Sequence, residues 1–386
     1  MRSSMRASSG PPPSLSTTTS RWSVAWQQRR KSKRCSKGRR DDRAPPGRYR
    51  RVSMRRTPGA SDQFSRTYPE IPVMLSQLFN RLSFGLAALL CFPMIVAADG
   101  STTLKMEPIA DHVYAIVGPL GNRSPENLAN NATFGFVVTG DGVVLVDSGG
   151  SFQGAAAIEA VIQEVTDKPV TMVINTGGQD HRWLGNGYFK ERGARIIASA
   201  SAVEDQQERE QDQYFALGNL IGDAALEGTE SVFADEKFEG ETTLRAGNVT
   251  FELYEVGPAH TAGDILVWMP EERILFTGDV VYVQRMLGVN SHSNNRHWIT
   301  AFERLAALEP NVVVPGHGPV TDLDRARADT YDYLVFLRKA VGAFMEDGGN
   351  IADIGSIDQS RFQYLENFDD LAGRNAQQVY TEMEWE

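Results

Sequence analysis

Short runs of β-branched and aromatic residues recur along the chain, and four of them run into or adjoin a glycine-flanked histidine or aspartate. The segments are Asn175-Thr176-Gly177-Gly178-Gln179-Asp180-His181, Gly257-Pro258-Ala259-His260-Thr261-Ala262-Gly263-Asp264, Phe276-Thr277-Gly278-Asp279 and Val314-Pro315-Gly316-His317-Gly318. Loops at strand ends carry chemistry on a rigid scaffold, and glycine lets the backbone turn tightly beside a side chain that must point at a ligand. A single histidine after a strand is most often a capping or packed residue. Here three of the six histidines fall in such segments, with two well-placed aspartates. Imidazole and carboxylate together suit Zn²⁺ and, less selectively, Fe or Mn. A fold that uses these groups together must bring several distant strand ends to one edge.

The intervening sequence alternates in the same sense. Strands are expected at His112–Val117, Thr133–Val138, Val143–Val146, Val170–Ile174 and Arg195–Ala198, with a helix over Phe152–Val165. After Ala198 a polar helical stretch runs to about Leu226, and its Glu204, Asp205, Glu208, Glu210 and Asp212 read as a solvated face. The second half repeats the theme with strands at Val249–Val256, Ile265–Met269, Arg273–Phe276 and Val312–Val314. A helix over His297–Leu308 and further helices after Asp322 complete it, the last over Asn375–Glu384. Two β-rich halves with flanking helices imply an α/β fold, a four-layer αββα sandwich.

Charge divides the chain. Residues 1–73 hold 18 Lys+Arg against 4 Asp+Glu, whereas the whole chain has 39 against 49. The basic segment is rich in Ser, Arg and Pro and lacks apolar periodicity, so it is expected to be disordered. From Met74 a short polar start with Arg81 precedes an apolar run, Leu82–Val96, and then Val96-Ala97-Ala98. This reads as a signal peptide over 74–98 with cleavage before Asp99, its apolar run being short for a membrane span. A secretion signal must stand at an N-terminus, so the simplest expectation is translation from Met74, with 1–73 a mis-assigned start. The remaining 99–386 would be one exported, periplasmic or secreted domain without stable membrane insertion. Both cysteines, Cys35 and Cys91, precede it, leaving no thiolate for metal or catalysis. Its acidity argues against nucleic acid and anionic membranes as partners and leaves a small-molecule substrate.

The order and spacing of Val143–Gly149 (VVLVDSG), GPAHTAGD, FTGD and VPGHGP resemble the metallo-β-lactamase superfamily across roughly Met106–Pro319. The resemblance implies the αββα sandwich and a metal site along one edge of its paired sheets. By position it implies Asp180, His181 and His317 as ligands of the second metal site, Asp279 as the bridging carboxylate and His260 as one of three first-site histidines. The other two belong to the family's H-x-H-x-D-H motif, from which this sequence departs. Aligned backwards from Asp180-His181 the positions are Thr176 and Gly178; aligned forwards from Ile174-Asn175-Thr176 they are Gly177 and Gln179.

The expectation is therefore one metal, held by Asp180, His181, Asp279 and His317, with His260 or Asp180 as general base. It would serve an exported hydrolase acting on a small ester, thioester or related substrate; the other reading is a non-catalytic metal- or ligand-binding descendant. The loss also argues against a persulfide-dioxygenase-like iron enzyme, which in this family relies on the missing first-site histidine. His292 is a candidate replacement ligand or substrate contact, and Arg296 a candidate for holding an anionic group. Arg182 is expected to pair with an acidic residue of the following helix, Asp147 to fix a turn, and His112 to be structural.

Overall fold

The computed structural model describes residues 103–386. The expectations for 1–73 and 74–98 fall outside the described residues. Within them, alternating apolar runs become two sheets. The first holds β1 (Lys105–Ala110), β2 (Val113–Val117), β3 (Thr133–Thr139), β4 (Gly142–Val146), β5 (Val170–Ile174), β6 (Arg195–Ser199) and β7 (Glu236–Phe238), in sequence order. Its first four strands pair antiparallel, and β4 to β7 pair in parallel. The second holds β8 (Glu241–Ala246), β9 (Val249–Glu255), β10 (Ile265–Met269), β11 (Ile274–Phe276) and β12 (Val312–Val314), in the order β12-β11-β10-β9-β8. Only β11 and β12 are parallel there.

The helices are α1 (Phe152–Gln163), α2 (Asp180–Trp183), α3 (Asn186–Glu191), α4 (Ala200–Ile221), α5 (Asn295–Ala307), α6 (Asp332–Glu346) and α7 (Phe368–Met383), with shorter turns between. Side-chain caps start three of them, each satisfying an orphan N–H of the first turn. Ser151 accepts from Gly154 N, Ser199 from Ala202 N and Asn294 from His297 N.

Three apolar layers follow from which face of each strand is apolar. Val113, Val137, Val144 and Ile174 of the first sheet pack against Phe251, Val267, Ile274 and Phe276 of the second. The outer face of the first sheet buries Phe134, Phe136 and Ile196 against Ile158 and Ile162 of α1 and Phe189 of α3. The outer face of the second buries Leu266 and Leu275 against Trp298, Phe302, Leu337 and Val379 of α5, α6 and α7. The result is the expected helix–sheet–sheet–helix order. Each such large apolar side chain contributes on the order of 2 kcal/mol when fully buried. The sheets meet closely at Gly135, where a Cβ would lie 2.1 Å from the Phe276 ring.

One expectation for α4 is corrected. Glu204, Glu208 and Asp212 are solvated, but Asp205 turns inward and is buried with Gln206, Arg209 and Gln213. These residues recur every three or four positions, so they form one buried polar stripe.

Candidate metal centre

Three chain segments leave their strands at the same edge. After β5, residues 175–179 lead into α2, which carries Asp180 and His181; after β11 comes Thr277-Gly278-Asp279; after β12 comes Pro315-Gly316-His317. Gly278 has φ +49°, and a Cβ there would lie 2.2 Å from Thr176 Oγ1, so only glycine permits this approach of the β11 loop to the β5 loop. Asp147, just beyond β4, has φ +67° and accepts from the Thr176 N–H at 2.7 Å. It thus fixes the turn on the neighbouring strand end.

His181, Asp279 and His317 converge, with one donor atom of each lying within 4.8 Å of the others. His181 Nε2 lies 3.2 Å from Asp279 Oδ2, and His317 Nε2 lies 3.2 Å from Asp279 Oδ1. The opposite ring nitrogens are engaged as well. His181 Nδ1 faces Asp180 Oδ1 at 3.1 Å and His317 Nδ1 faces the Asn131 carbonyl at 2.9 Å. A carboxylate and a carbonyl only accept, so a proton on each Nδ1 satisfies them and would leave each Nε2 to give its lone pair to a cation; without one, the Asp279 oxygens are themselves acceptors for an Nε2 proton. Two imidazole nitrogens and a carboxylate therefore face one point. The donor set fits a cation, with Asp180 and Asn131 as the outer acceptors that orient a metal-binding histidine.

Arginines and a tyrosine complete the surroundings. Arg182 is fully buried, donating from Nε and Nη2 to the two oxygens of Asp279 (3.1 and 2.8 Å) and from Nη1 to Asp147 at 2.9 Å. The expectation that it pairs with an acidic residue of the following helix is thus corrected: the adjacent strand ends supply its partners. Arg123, from the β2–β3 loop, is ion-paired to Asp180. Tyr282 donates its hydroxyl to Asp279 Oδ1 at 3.0 Å and stacks on His317, with ring centroids 4.6 Å apart.

Burial alone would raise the Asp279 carboxyl, but Arg182 and the histidines hold it well below the ordinary range. For Asp180, Arg123 and His181 likewise outweigh burial and keep it ionised. Burial pushes the His317 imidazole well below its ordinary value and lowers His260 to about 4. Burial and then Asp279 keep the Tyr282 hydroxyl protonated.

The sequence profile of the metallo-β-lactamase superfamily matches residues 129–317, which hold this whole convergence. This chain carries a metallo-β-lactamase superfamily domain. The type 2 metallo-β-lactamase of Bacillus cereus is 29% identical over 232 residues, covering 59% of this chain and 81% of the relative. That of Elizabethkingia meningoseptica is 25% identical over 240 residues, covering 61% and 85%. Among solved structures, a metallo-β-lactamase from Pontibacter korlensis aligns with a TM-score of 0.50 at 22% identity, over 60% of this chain and 99% of that one. That likeness speaks for the fold.

Within the metallo-β-lactamase domain, Asp180 stands behind His181, its oxygens engaged by His181 and Arg123. His260 is buried, its Nδ1 without a hydrogen-bond partner and its ring 5.3 Å from that of Trp298. It lies outside the converging triad. His292 and Arg296 are exposed, at the loop and first turn entering α5, and also stand apart from it. His112 occupies the exposed turn between β1 and β2. Sequence reading missed the roles of Arg123, Arg182 and Tyr282. Arg182 carried one signal, its place between His181 and the apolar Trp183-Leu184.

Proposed function

We propose that the mature protein is an exported hydrolase that binds one divalent metal, Zn²⁺ before Fe or Mn, on His181, Asp279 and His317. Its substrate on this reading is a small ester, thioester or related acyl compound. The observation that carries the proposal is the convergence of the two Nε2 atoms, each 3.2 Å from an Asp279 oxygen, with an acceptor behind each Nδ1. A catalytic zinc site keeps three protein ligands and an open position, whereas four protein ligands make a closed one. With Asp180 serving as the orienting acceptor of His181, the triad leaves that position open. When bound, the metal would lower the pKa of a coordinated water and polarise the substrate oxygen.

The remaining work falls to the chain. Arg182 and Tyr282 hold the Asp279 carboxylate in one orientation. His260, kept neutral at working pH by burial, is the candidate proton acceptor, its lone pair free of a competing acid. Export rests on the sequence from Met74 to Ala98.

Metal analysis of protein beginning at Asp99, with turnover of nitrophenyl esters, thioesters and a chromogenic β-lactam, tests the proposal. The β-lactam belongs in the panel because the relatives above are named for that activity. One metal per chain, with turnover lost by at least a hundredfold in His317→Ala, is the expected result. A second reading, a non-catalytic descendant, draws on Arg182 and Arg123 already neutralising the carboxylates. Absence of both metal and turnover would favour it.

A further inference from the structure

The family's first metal half-site would face His260 from residues 176–179, and its residues do not fit a metal here. Both alignments of the missing histidines are closed. Thr176 commits its hydroxyl to Asp147, at 2.8 Å from Oδ2. A Cβ on Gly177 would stand 2.6 Å from Asp264 Oδ1, and one on Gly178 only 1.8 Å from Asp205 Oδ2. Gln179 accepts from Arg209 Nη1 at 3.4 Å. Neither glycine has a positive φ, so the backbone would tolerate a side chain at either position. What excludes one is the pair of carboxylates pressed against them.

Asp264 stands just before β10, while Asp205 belongs to the buried polar stripe of α4. Arg209 donates from Nε to Asp205 Oδ1 at 2.8 Å, and its Nη2 pairs with the other carboxylate oxygen. Gln206 donates to the Gly177 carbonyl at 3.1 Å and Gln213 to the Gly178 carbonyl at 2.8 Å. Gln213 in turn accepts from the Trp183 indole at 2.9 Å. A helix that buries Asp, Gln, Arg and Gln forgoes apolar packing, and such groups are tolerated only when they bond to something specific. Here they bond to the very segment that a first-site metal would hold.

We propose that Arg209 is the resident cation of this half-site: with Asp205 it clamps residues 177–179 in place and limits the chain to one metal ion. Arg209, Gln206 and Gln213 are positioning residues in this role. The proposal takes from the functional reading only that the first equivalent goes to the His181 triad.

Zinc uptake by native mass spectrometry tests it, with thermal melts to establish folding. The wild-type chain should saturate at one zinc. Gly178→His alone should add none, because the Asp205–Arg209 pair still fills the space. Gly178→His combined with Arg209→Met should add one, since Asp205, freed to rotate, joins the introduced imidazole and His260 as a donor. Two zinc ions on the wild-type chain or on the single variant would overturn the proposal. A folded double variant that takes no more zinc than Gly178→His alone would do the same. Should the double variant fail to fold, a second zinc on the wild-type chain or on Gly178→His would still overturn the proposal. If the triad itself binds nothing, the functional reading fails, while the difference between the two variants still reports on Arg209.

Discussion

His260 is a buried imidazole packed against Trp298 and Tyr282, and its chemistry is set by that burial. Burial holds its pKa at about 4, against an ordinary value near 6.5. The folded state thus disfavours the proton that the unfolded state accepts, and stability from this group is present above pH 6.5 and lost as pH falls towards 4. In metal-free protein, urea unfolding at pH 7.5 and 4.5 should show wild type losing ~2 kcal/mol more than His260→Phe over that interval. Equal losses in the two proteins would contradict the assignment. His181, Asp279 and His317, which converge, were marked in sequence by a glycine-flanked segment after a strand; His260 is marked in the same way but lies outside them. Arg123 was not, because its partner Asp180 lies 57 residues away, nor was Tyr282, which follows the FTGD segment by three residues with nothing in its own surroundings to mark it. Asp205 was misread as solvated because a buried ion pair at i and i+4 has the same sequence pattern as an exposed one.

Elements with a continuous apolar run were read nearly to the residue. Val170–Ile174, Ile265–Met269 and Val312–Val314 form β5, β10 and β12 as expected. The strands missed were β1, β7 and β8, whose residues Lys105–Ala110, Glu236–Phe238 and Glu241–Ala246 are largely exposed or half-buried. Polar strands near a sheet margin owe their form to the neighbour's hydrogen bonds, which no local pattern announces. The inner strands meet a different constraint, because β3 and β11 touch across the sandwich where Gly135 lies beneath Phe276. Gly135→Ala would force the ring or the sheets to move, at a cost of ~1–3 kcal/mol. A lower urea midpoint with an unchanged m-value is the expected signature, and an unchanged midpoint would show that the layers slide freely.

At the scale of the whole molecule, the αββα order followed from two β-rich halves, but the means by which the halves are joined did not. Arg182 bonds to Asp147 beyond β4, Asp279 beyond β11, and the carbonyls of Thr133 and Gly316. Removing such a guanidinium leaves two buried carboxylates uncompensated, so Arg182→Met should cost ~3–5 kcal/mol in chemical unfolding. A loss below 1 kcal/mol would show that the carboxylates find protons or solvent instead. The same bonds bear on how the chain comes apart. An N-terminal piece ending before β8 keeps Arg182 with only one of its two carboxylates, and a C-terminal piece keeps Asp279 with no guanidinium at all. Each half is therefore electrically unfinished without the other, and neither sheet is expected to persist alone during unfolding. A protease that nicks the link between β7 and β8 should thus leave two fragments held together, parting only when the whole fold gives way.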